Sequence, residues 1–346
     1  MHRHDRLKKH FRIIHNYRKE KTNMYNDIKL DKSLYNISGK SFTQALSDLD
    51  PDSQYAGTEL SKLDAYERQL KRFDIKVAGE NCDVVDKFFQ ATESAVLFPE
   101  FIRRSVISGM DSAMLPNIIA VNTIIDTLDY RGFTATCYSP YTTVLSQNSE
   151  LPEVLIQTSN VLSLSKYGRS LTVTYEAIKN QKLDLFSCIL KDVGRQLGNA
   201  LVNVGLTKII DGATSIAGTS GGFVYDDLLK LYKSFAKYNL TTLVASPATC
   251  AALLALPELA ECRSDDGGLS VQLPFGPRLY KACGYTGTSI IALDKDYAME
   301  MITGNSGVTI ENEKIISRQI DSIGISIYTN FRKIASDASA VLTYTA

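Results

Sequence analysis

The clearest pattern in the chain is a run of apolar residues at helical spacing between residues 183 and 210. Apolar side chains recur there every three or four positions, at Phe186, Ile189, Leu190, Val193, Leu197, Leu201 and Val204. This spacing predicts one face of a long helix, about 42 Å in length if unbroken. Gly194, Gly198 and Gly205 each weaken a helix by up to about 1 kcal/mol, so they predict close packing against a neighbour.

The N-terminal part of the chain, residues 24–112, alternates charged residues with single apolar stripes, which predicts amphipathic helices. Between residues 61 and 73 the stripe consists of Leu63, Tyr66, Leu70 and Phe73. A second amphipathic run extends from Asp83 to Phe89 and leads to Leu97, Phe98, Pro99 and Phe101, where the proline is expected to break the pattern. No second apolar face accompanies these stripes, so we expect the region to dock on another surface instead of closing its own core.

Period-two patterns, which predict β-strands, begin near residue 115 and return at the end of the chain. The first strands are indicated by Ile118, Ile119, Val121, Ile124 and Ile125, and by Leu171, Val173 and Tyr175. A long C-terminal strand is indicated by the alternation of Ile323, Ile325, Ile327, Thr329 and Phe331. Residues 340–344 predict the last strand.

Residues 223–278 combine helical and strand patterns. A helix is predicted by the spacing of Leu228, Leu229, Tyr232 and Phe235, and a strand follows over residues 241–245. Ser246 and Pro247 suit the N-cap and the first position of a further helix. Residues 262–278 are rich in glycine, proline and aspartate, which predicts a long loop without regular structure.

An uncharged segment, residues 132–149, interrupts the first strands. It contains no Asp, Glu, Lys, Arg or His, and its apolar groups are few. A water-facing loop normally carries charge, whereas subunit interfaces deplete charge and favour tyrosine. The segment therefore predicts a long hairpin that lies on a neighbouring subunit; a loop covered by its own chain is the alternative. The candidate contact residues are Phe133, Tyr138, Tyr141, Val144 and Leu145.

Charge and histidine are unevenly distributed along the 346 residues, although the formal net charge is zero. Residues 1–23 hold eight Lys and Arg against Asp5 and Glu20, and they also hold all four histidines. The remainder is mildly acidic and lacks histidine, the usual acid–base group and commonest metal ligand. The six cysteines form no C-x-x-C pair, so we expect reduced, mostly buried thiols and no zinc site or disulfide framework.

Short motifs of catalytic type are present but lack the partners that the chemistry requires. Residues 218–222 match the G-x-S-x-G pattern, yet no histidine follows to activate the serine, so they predict a flexible turn. Residues 39–41 resemble the end of a phosphate-binding loop, but Leu34 replaces the required glycine. Asp226 and Asp227 suit a helix N-terminus, and Asp265 and Asp266 a solvated turn. We predict no catalytic residue, metal or cofactor.

The order of these parts resembles the tailed-bacteriophage major capsid family, which has the Hong Kong 97 type fold, over roughly residues 60–346. The resemblance rests on the order and spacing of residues 63–79, 88–104, 174–212, 243–256 and 287–334. It implies an α+β fold with an N-terminal arm, an extended β-hairpin loop, a spine helix, and peripheral and axial domains. The N-terminal arm corresponds to residues 1–95, the extended loop to residues 128–160 and the spine helix to residues 183–210. The peripheral domain comprises residues 96–127, 161–213 and 305–346, and the axial domain comprises residues 214–304.

The resemblance also implies the function and the partners. The chain would be a structural subunit that assembles through pentamers and hexamers into an icosahedral head around double-stranded DNA, without sequence-specific binding. Portal protein and scaffold or decoration proteins would be its other partners, with no membrane, and the shell would be assembled in the host cytoplasm. An axial loop would point to the centre of each capsomer, with Arg263, Asp265, Asp266, Phe275 and Arg278 as its residues.

Several finer expectations accompany this resemblance. Some relatives cross-link their shells through a lysine of the extended loop, but this chain has no lysine between Tyr130 and Lys166, so we predict no such cross-link. Gly132 and Gly168 are candidate hinges on either side of the loop. Residues 1–95 are either an arm or a cleaved scaffold-like segment, and Met24 is a candidate start, which would make residues 1–23 a leader. The alternatives are an encapsulin-type shell protein and a histidine-free enzyme.

Overall fold

The computed structural model describes residues 25, 28–37, 39–113, 115–137, 154–262 and 270–344. The chain divides into two compact units, each built from three segments. Unit 1 consists of Met1–Ser105, Ser170–Leu190 and Ile310–Ile325. Unit 2 consists of Val106–Arg169, Lys191–Thr309 and Ser326–Ala346. The predicted division into arm, loop, peripheral and axial parts stays a prediction.

The secondary structure mixes helices and strands along the whole described chain. The helices are α1 (Phe42–Leu49), α2 (Ala65–Arg72), α3 (Thr92–Ala95), α4 (Phe98–Asp111), α5 (Tyr175–Asn180), α6 (Leu183–Ile210), α7 (Tyr225–Ser234) and α8 (Pro247–Leu254). The first strands are β1 (Val121–Ile125), β2 (Asp129–Tyr130), β3 (Phe133–Cys137), β4 (Val154–Thr158), β5 (Leu162–Ser163) and β6 (Ser165–Thr174). The later strands are β7 (Thr214–Ala217), β8 (Thr242–Ala245), β9 (Ser270–Gln272), β10 (Arg278–Lys281), β11 (Ile290–Leu293), β12 (Met299–Ile315), β13 (Ile320–Lys333) and β14 (Ser339–Thr343).

Unit 1 has a core of its own, so the expectation of a single stripe without a closing face is wrong. Tyr66 and Leu70 of α2 are buried, and so are Phe42 and Leu46 of α1. The closing face comes from α1 and from short 3-10 turns, which are too brief to show a helical period in the sequence. The buried residue Leu60 lies in one such turn.

Both α1 and α2 begin with capping boxes, formed by Ser41 with Gln44 and by Asp64 with Glu67.

Pro99 was expected to interrupt a helix and instead lies in the first turn of α4, as its second residue. A proline is tolerated there because the first N–H groups of a helix have no partner inside the helix. The helix packs its aromatic residues within unit 1. The ring of Phe98 lies 5.5 Å from that of Phe88 and stacks on Phe186 at 6.1 Å.

Two larger sheets carry most of the strands. The first has the order β1-β12-β13-β6, and the second the order β7-β14-β11-β8-β10-β9. In β13, each of the alternating residues named from the sequence is buried: Ile323, Ile325, Ile327, Thr329 and Phe331. The six-stranded sheet packs with α7 and α8 around a core of Leu228, Leu243, Leu253, Ile290 and Leu342, among others. Ser246 caps α8 by accepting a hydrogen bond from the Thr249 N–H, and Pro247 follows it, as predicted.

The loop predicted over residues 262–278 is wrong in its described part. Residues 270–272 form β9, which pairs antiparallel with β10, and β10 begins at Arg278. The prediction failed because β9 is a three-residue edge strand, too short to show alternation, and its neighbours Pro274 and Gly276 signal a turn. That turn is tight: the Gly276 N–H donates to the Leu273 carbonyl oxygen at 3.1 Å.

The glycine-rich turn at residues 218–222 is held by a buried carboxylate. Asp227, in the first turn of α7, is fully buried. It accepts hydrogen bonds from the Thr219 N–H at 2.9 Å, the Thr219 hydroxyl at 2.8 Å and Lys230 Nζ at 2.8 Å. Burial alone would raise the pKa of this carboxyl, but the hydrogen bonds from Lys230 and Thr219 outweigh it and lower the pKa below its usual value.

We expect Asp227→Asn to lower the free energy of unfolding by about 1–3 kcal/mol at pH 7, because the charge-assisted hydrogen bonds are lost. Since the folded-state pKa is depressed, this stability is present above the unfolded pKa of about 3.9 and is lost as the pH falls through the folded value. Urea unfolding at pH 7 and at pH 3 measures both effects. Asp226→Asn is the matched control, because Asp226 is exposed on the same turn; an equal loss in both variants would contradict the role of Asp227.

Candidate interaction site at the base of the hairpin

Two short antiparallel ladders form the stem of the predicted extended loop. β2 pairs with β5, and β3 pairs with β4 so that Phe133 lies opposite Thr158 and Ala135 opposite Ile156. Of the predicted contact residues, the structure describes Phe133, in β3; Tyr138, Tyr141, Val144 and Leu145 lie outside the described residues. β3 therefore lies within the uncharged segment, and β4 begins five residues after that segment ends.

Large apolar side chains are exposed on and beside this stem. Phe133 is 63% exposed and Ile156 is 65% exposed. Residue 156 lies two positions before Thr158, the partner of Phe133, so both side chains emerge on the same face. Further exposed residues are Val121, Ile124, Leu128 and Val161. We call these six side chains the stem surface; exposed apolar side chains of this size are candidates for contact with a partner.

A buried carboxylate lies under the stem. Glu300, in β12, accepts hydrogen bonds at Oε1 from the Thr123 hydroxyl at 2.5 Å and from the Tyr130 hydroxyl at 2.8 Å. Its other oxygen, Oε2, lies 3.3 Å from Arg332 Nη2. Burial and the hydrogen bond to Glu300 raise the pKa of Tyr130. The carboxylate thereby ties β1 and β2 to the strands β12 and β13.

The guanidinium of Arg332 connects the same carboxylate to the hairpin. Its Nη1 donates to the Ser159 hydroxyl at 2.8 Å, and its Nη2 donates to the Phe133 carbonyl oxygen at 2.7 Å. The Ser159 N–H in turn donates to the Gly132 carbonyl oxygen at 2.8 Å. The Arg332 and Glu300 side chains are only 15% and 8% exposed. We call Arg332, Glu300 and their hydrogen-bond partners the stem network.

Sequence reasoning missed Arg332 and Glu300, because their partners are distant in the chain. Thr123 and Tyr130 lie 177 and 170 positions from Glu300, and Phe133 lies 199 positions from Arg332. One available signal was Arg332 itself, because it is a charged residue in a strand that was predicted from its alternating apolar residues. Gly132 was noted in the sequence, but as a hinge and not as a neighbour of an arginine.

Of the predicted axial-loop residues, the structure describes Phe275 and Arg278. Phe275 packs edge-on against Tyr225 at 6.3 Å and Tyr232 at 5.7 Å between ring centroids. Arg278 begins β10, opposite Thr242 of β8. Both therefore belong to the folded lobe around the six-stranded sheet. Arg263, Asp265 and Asp266 lie outside the described residues.

The acidic residues and cysteines of the described chain are its candidates for metal binding and thiol chemistry. No group of three or more His, Cys, Asp or Glu among them is arranged to hold a metal ion. The cysteines that the structure describes with side chains are free thiols. Cys188 and Cys283 are exposed, and Cys82 and Cys262 are half-buried, so the expectation of mostly buried thiols is wrong for the described cysteines. Cys250 is buried, and burial raises the pKa of its thiol to about 11, which makes it unreactive.

Within the described part of the chain, no helix combines the length and apolar character needed to cross a membrane.

Comparison with known proteins gives one family and a set of distant structural likenesses. A family model described as phage capsid protein matches residues 158–338, just over half of the chain. No curated protein sequence matches significantly. A virus-like particle from Pyrococcus furiosus is 12% identical, with a TM-score of 0.47, over 71% of this chain and 99% of that one.

Two further solved structures are similar at the same level. The encapsulin complex of Synechococcus elongatus PCC 7942 is 14% identical, with a TM-score of 0.48, over 66% of this chain and 88% of that one. A structure titled Microbacterium phage Oxtober96 is 12% identical, with a TM-score of 0.47, over 67% of this chain and 91% of that one.

Proposed function

Because the chain belongs to the phage capsid protein family, we propose that it assembles through pentamers and hexamers into an icosahedral shell that encloses phage DNA. The matched residues, 158–338, include α6, the long strands β12 and β13, and every strand of the six-stranded sheet except β14. The resemblance to phage major capsid proteins is confirmed by this match. The α+β class is confirmed by the mixture of helices and sheets.

The stem surface is the observation that supports self-assembly most directly. Phe133 and Ile156 expose apolar side chains on one face of a hairpin that continues into an uncharged segment. Such a surface is costly in water and is typical of the core of an interface. The partner is a second copy of the chain, because every subunit of a shell lies next to other copies. Contacts of modest strength suffice there, because each subunit has many neighbours.

The remaining parts of the proposal concern the role of the subunit in the virion. It acts as a structural component without catalysis and encloses double-stranded DNA without reading its sequence. Portal protein and scaffold or decoration proteins are its further partners, and assembly takes place in the host cytoplasm. The peripheral and axial domains and the extended loop keep the bounds given above. Without a lysine between Tyr130 and Lys166, the loop forms no lysine cross-link.

Size-exclusion chromatography and negative-stain microscopy of the full chain test the proposal. We expect capsomers or megadalton particles, and closed shells in the images. Shells from infected cells that contain DNA support a phage head, whereas shells that contain a cargo enzyme and no DNA would assign the encapsulin-type alternative. A small oligomer that never forms shells, even at high concentration, would contradict both.

Substitution on the stem surface tests its role in assembly. We expect Phe133→Asp or Ile156→Asp to lower the yield of shells by about tenfold or more, because each buries an unpaired charge against an apolar partner surface. The circular dichroism and unfolding midpoint of the separated subunits should stay unchanged, since both positions are exposed in the subunit. Shell yield is measured by sedimentation.

Asn160→Asp is the matched control for these variants. It adds the same charge at an exposed position of the same stem without removing an apolar group, so the shell yield should remain near that of the unmodified protein. If both Phe133→Asp and Ile156→Asp assembled normally, the stem surface would not be part of the interface between subunits.

A further inference from the structure

We propose that Arg332 is a positioning residue that sets the direction of the extended hairpin, and that Gly132 provides the space in which its guanidinium lies. This inference deepens the proposed function, because it names the residues that fix the element through which subunits meet. The sequence suggested a different role for Gly132, that of a hinge.

The first step is the space at Gly132. A Cβ atom placed on this residue would lie 2.0 Å from Nη1 and 2.2 Å from Cζ of Arg332. Those distances are far below any real contact, so no side chain fits at residue 132 while the guanidinium keeps its place. The φ angle of Gly132 is not in the left-handed region that favours glycine. The residue is therefore required for room and not for backbone freedom.

The second step is that the guanidinium is held at both of its Nη groups. An arginine end group would normally swing aside for a new methyl group. Here Nη1 is bonded to Ser159, and Nη2 is bonded to the Phe133 carbonyl and paired with Glu300. The planar fork of arginine suits such a set of acceptors, and lysine cannot reproduce it. Displacement of the guanidinium would break these bonds together.

The third step is where the bonds lead. Ser159 and Phe133 belong to the two sides of the hairpin stem, whereas Glu300 belongs to β12 and Arg332 to β13. Tyr130, at the start of the hairpin, bonds to the same carboxylate. One buried ion pair therefore ties both sides of the stem to the sheet strands. A hairpin attached in this way leaves the sheet in one direction instead of swinging about Gly132.

The experiment is a double-mutant cycle read by amide hydrogen exchange on separated subunits. Gly132→Ala is made in the unmodified protein and in an Arg332→Ala, Glu300→Gln background, in which the guanidinium is gone and no unpaired carboxylate is left buried. We expect Gly132→Ala to speed exchange at residues 129–133 and 158–163 by about tenfold in the unmodified protein, and by less than about twofold in the background. Far-UV circular dichroism and urea unfolding establish that each variant is folded.

Gly324→Ala is the matched control, because a Cβ on this glycine of β13 would meet its nearest neighbour, the Glu311 carbonyl oxygen, at 3.6 Å, an ordinary contact. Its exchange rates should not change. If Gly132→Ala speeds exchange equally in both backgrounds, or in neither, the role of Arg332 as a positioning residue is overturned. Exchange is measured without shells, so failure of this inference is distinguishable from failure of the proposed assembly.

Discussion

Gly194→Ala should lower the free energy of unfolding by about 3 kcal/mol, although alanine is the better helix former by about 1 kcal/mol. A Cβ atom on Gly194 of α6 would lie 2.1 Å from the Val106 carbonyl oxygen of α4 and 2.9 Å from its carbonyl carbon. The reverse contact is equally close, since a Cβ on Gly109 of α4 would lie 2.0 Å from the Lys191 carbonyl oxygen. Both obstacles are backbone atoms of helices, which cannot move aside as a side chain does.

The sign of this effect separates two explanations of the glycines in α6. If they were mere weak points of the helix, alanine would stabilise the protein. Gly205→Ala is the matched control in the same helix, because its Cβ would meet the flexible end of Met299, with Cε at 2.9 Å. We expect a change within about 1 kcal/mol there. Urea unfolding of separated subunits gives both values, and a Gly194→Ala protein as stable as the unmodified one would contradict the close approach of α4 and α6.

Asp50→Ala should cost about 3–5 kcal/mol in the free energy of unfolding, because it leaves a buried guanidinium without its main partner. The side chains of Arg68 and Asp50 are both fully buried, with Arg68 Nε 3.0 Å from Asp50 Oδ2. The other carboxylate oxygen accepts a hydrogen bond from the Tyr55 hydroxyl at 2.7 Å. The guanidinium also lies over the Tyr55 ring, 4.6 Å from its centroid. Loss of the carboxylate therefore disturbs several buried polar groups at once.

Two further variants test this reasoning on the same guanidinium. Asp52 also pairs with Arg68, at 2.8 Å, but its side chain is 73% exposed, so Asp52→Ala should cost less than about 1 kcal/mol. Replacement of the pair by apolar residues, Asp50→Leu with Arg68→Met, should recover most of the stability lost in Asp50→Ala. Thermal and urea unfolding measure these differences. Equal losses for Asp50→Ala and Asp52→Ala would show that burial does not set the strength of the pair.

Several parts of the fold could be predicted from the sequence because they depend on local periodicity. The helix over residues 183–210 and the buried alternation from Ile323 to Phe331 are present as predicted. Side-chain direction repeats every 3.6 residues in a helix and every two in a strand, so a regular apolar pattern indicates the buried face. The Ser246–Pro247 helix start is likewise a local signal.

The parts that could not be predicted lack a local pattern. The core of unit 1 is closed by short turns and by α1, so Leu63, Tyr66, Leu70 and Phe73 suggested a stripe in need of a partner. β9 has only three residues. Glycines were visible in α6, but their counterpart Gly109 lies more than 80 residues earlier in the sequence, and nothing in either segment indicates that they meet.

The sequence by itself determined the long helix and the terminal strands, and the order and spacing of its parts resemble those of the phage capsid family. Only the tertiary structure decided which residues hold the hairpin and which glycines allow the backbone of another helix to pack closely. The reason is physical. Periodicity and composition act along neighbouring residues, whereas the approach of Arg332 to Gly132, or of Val106 to Gly194, depends on how distant segments pack.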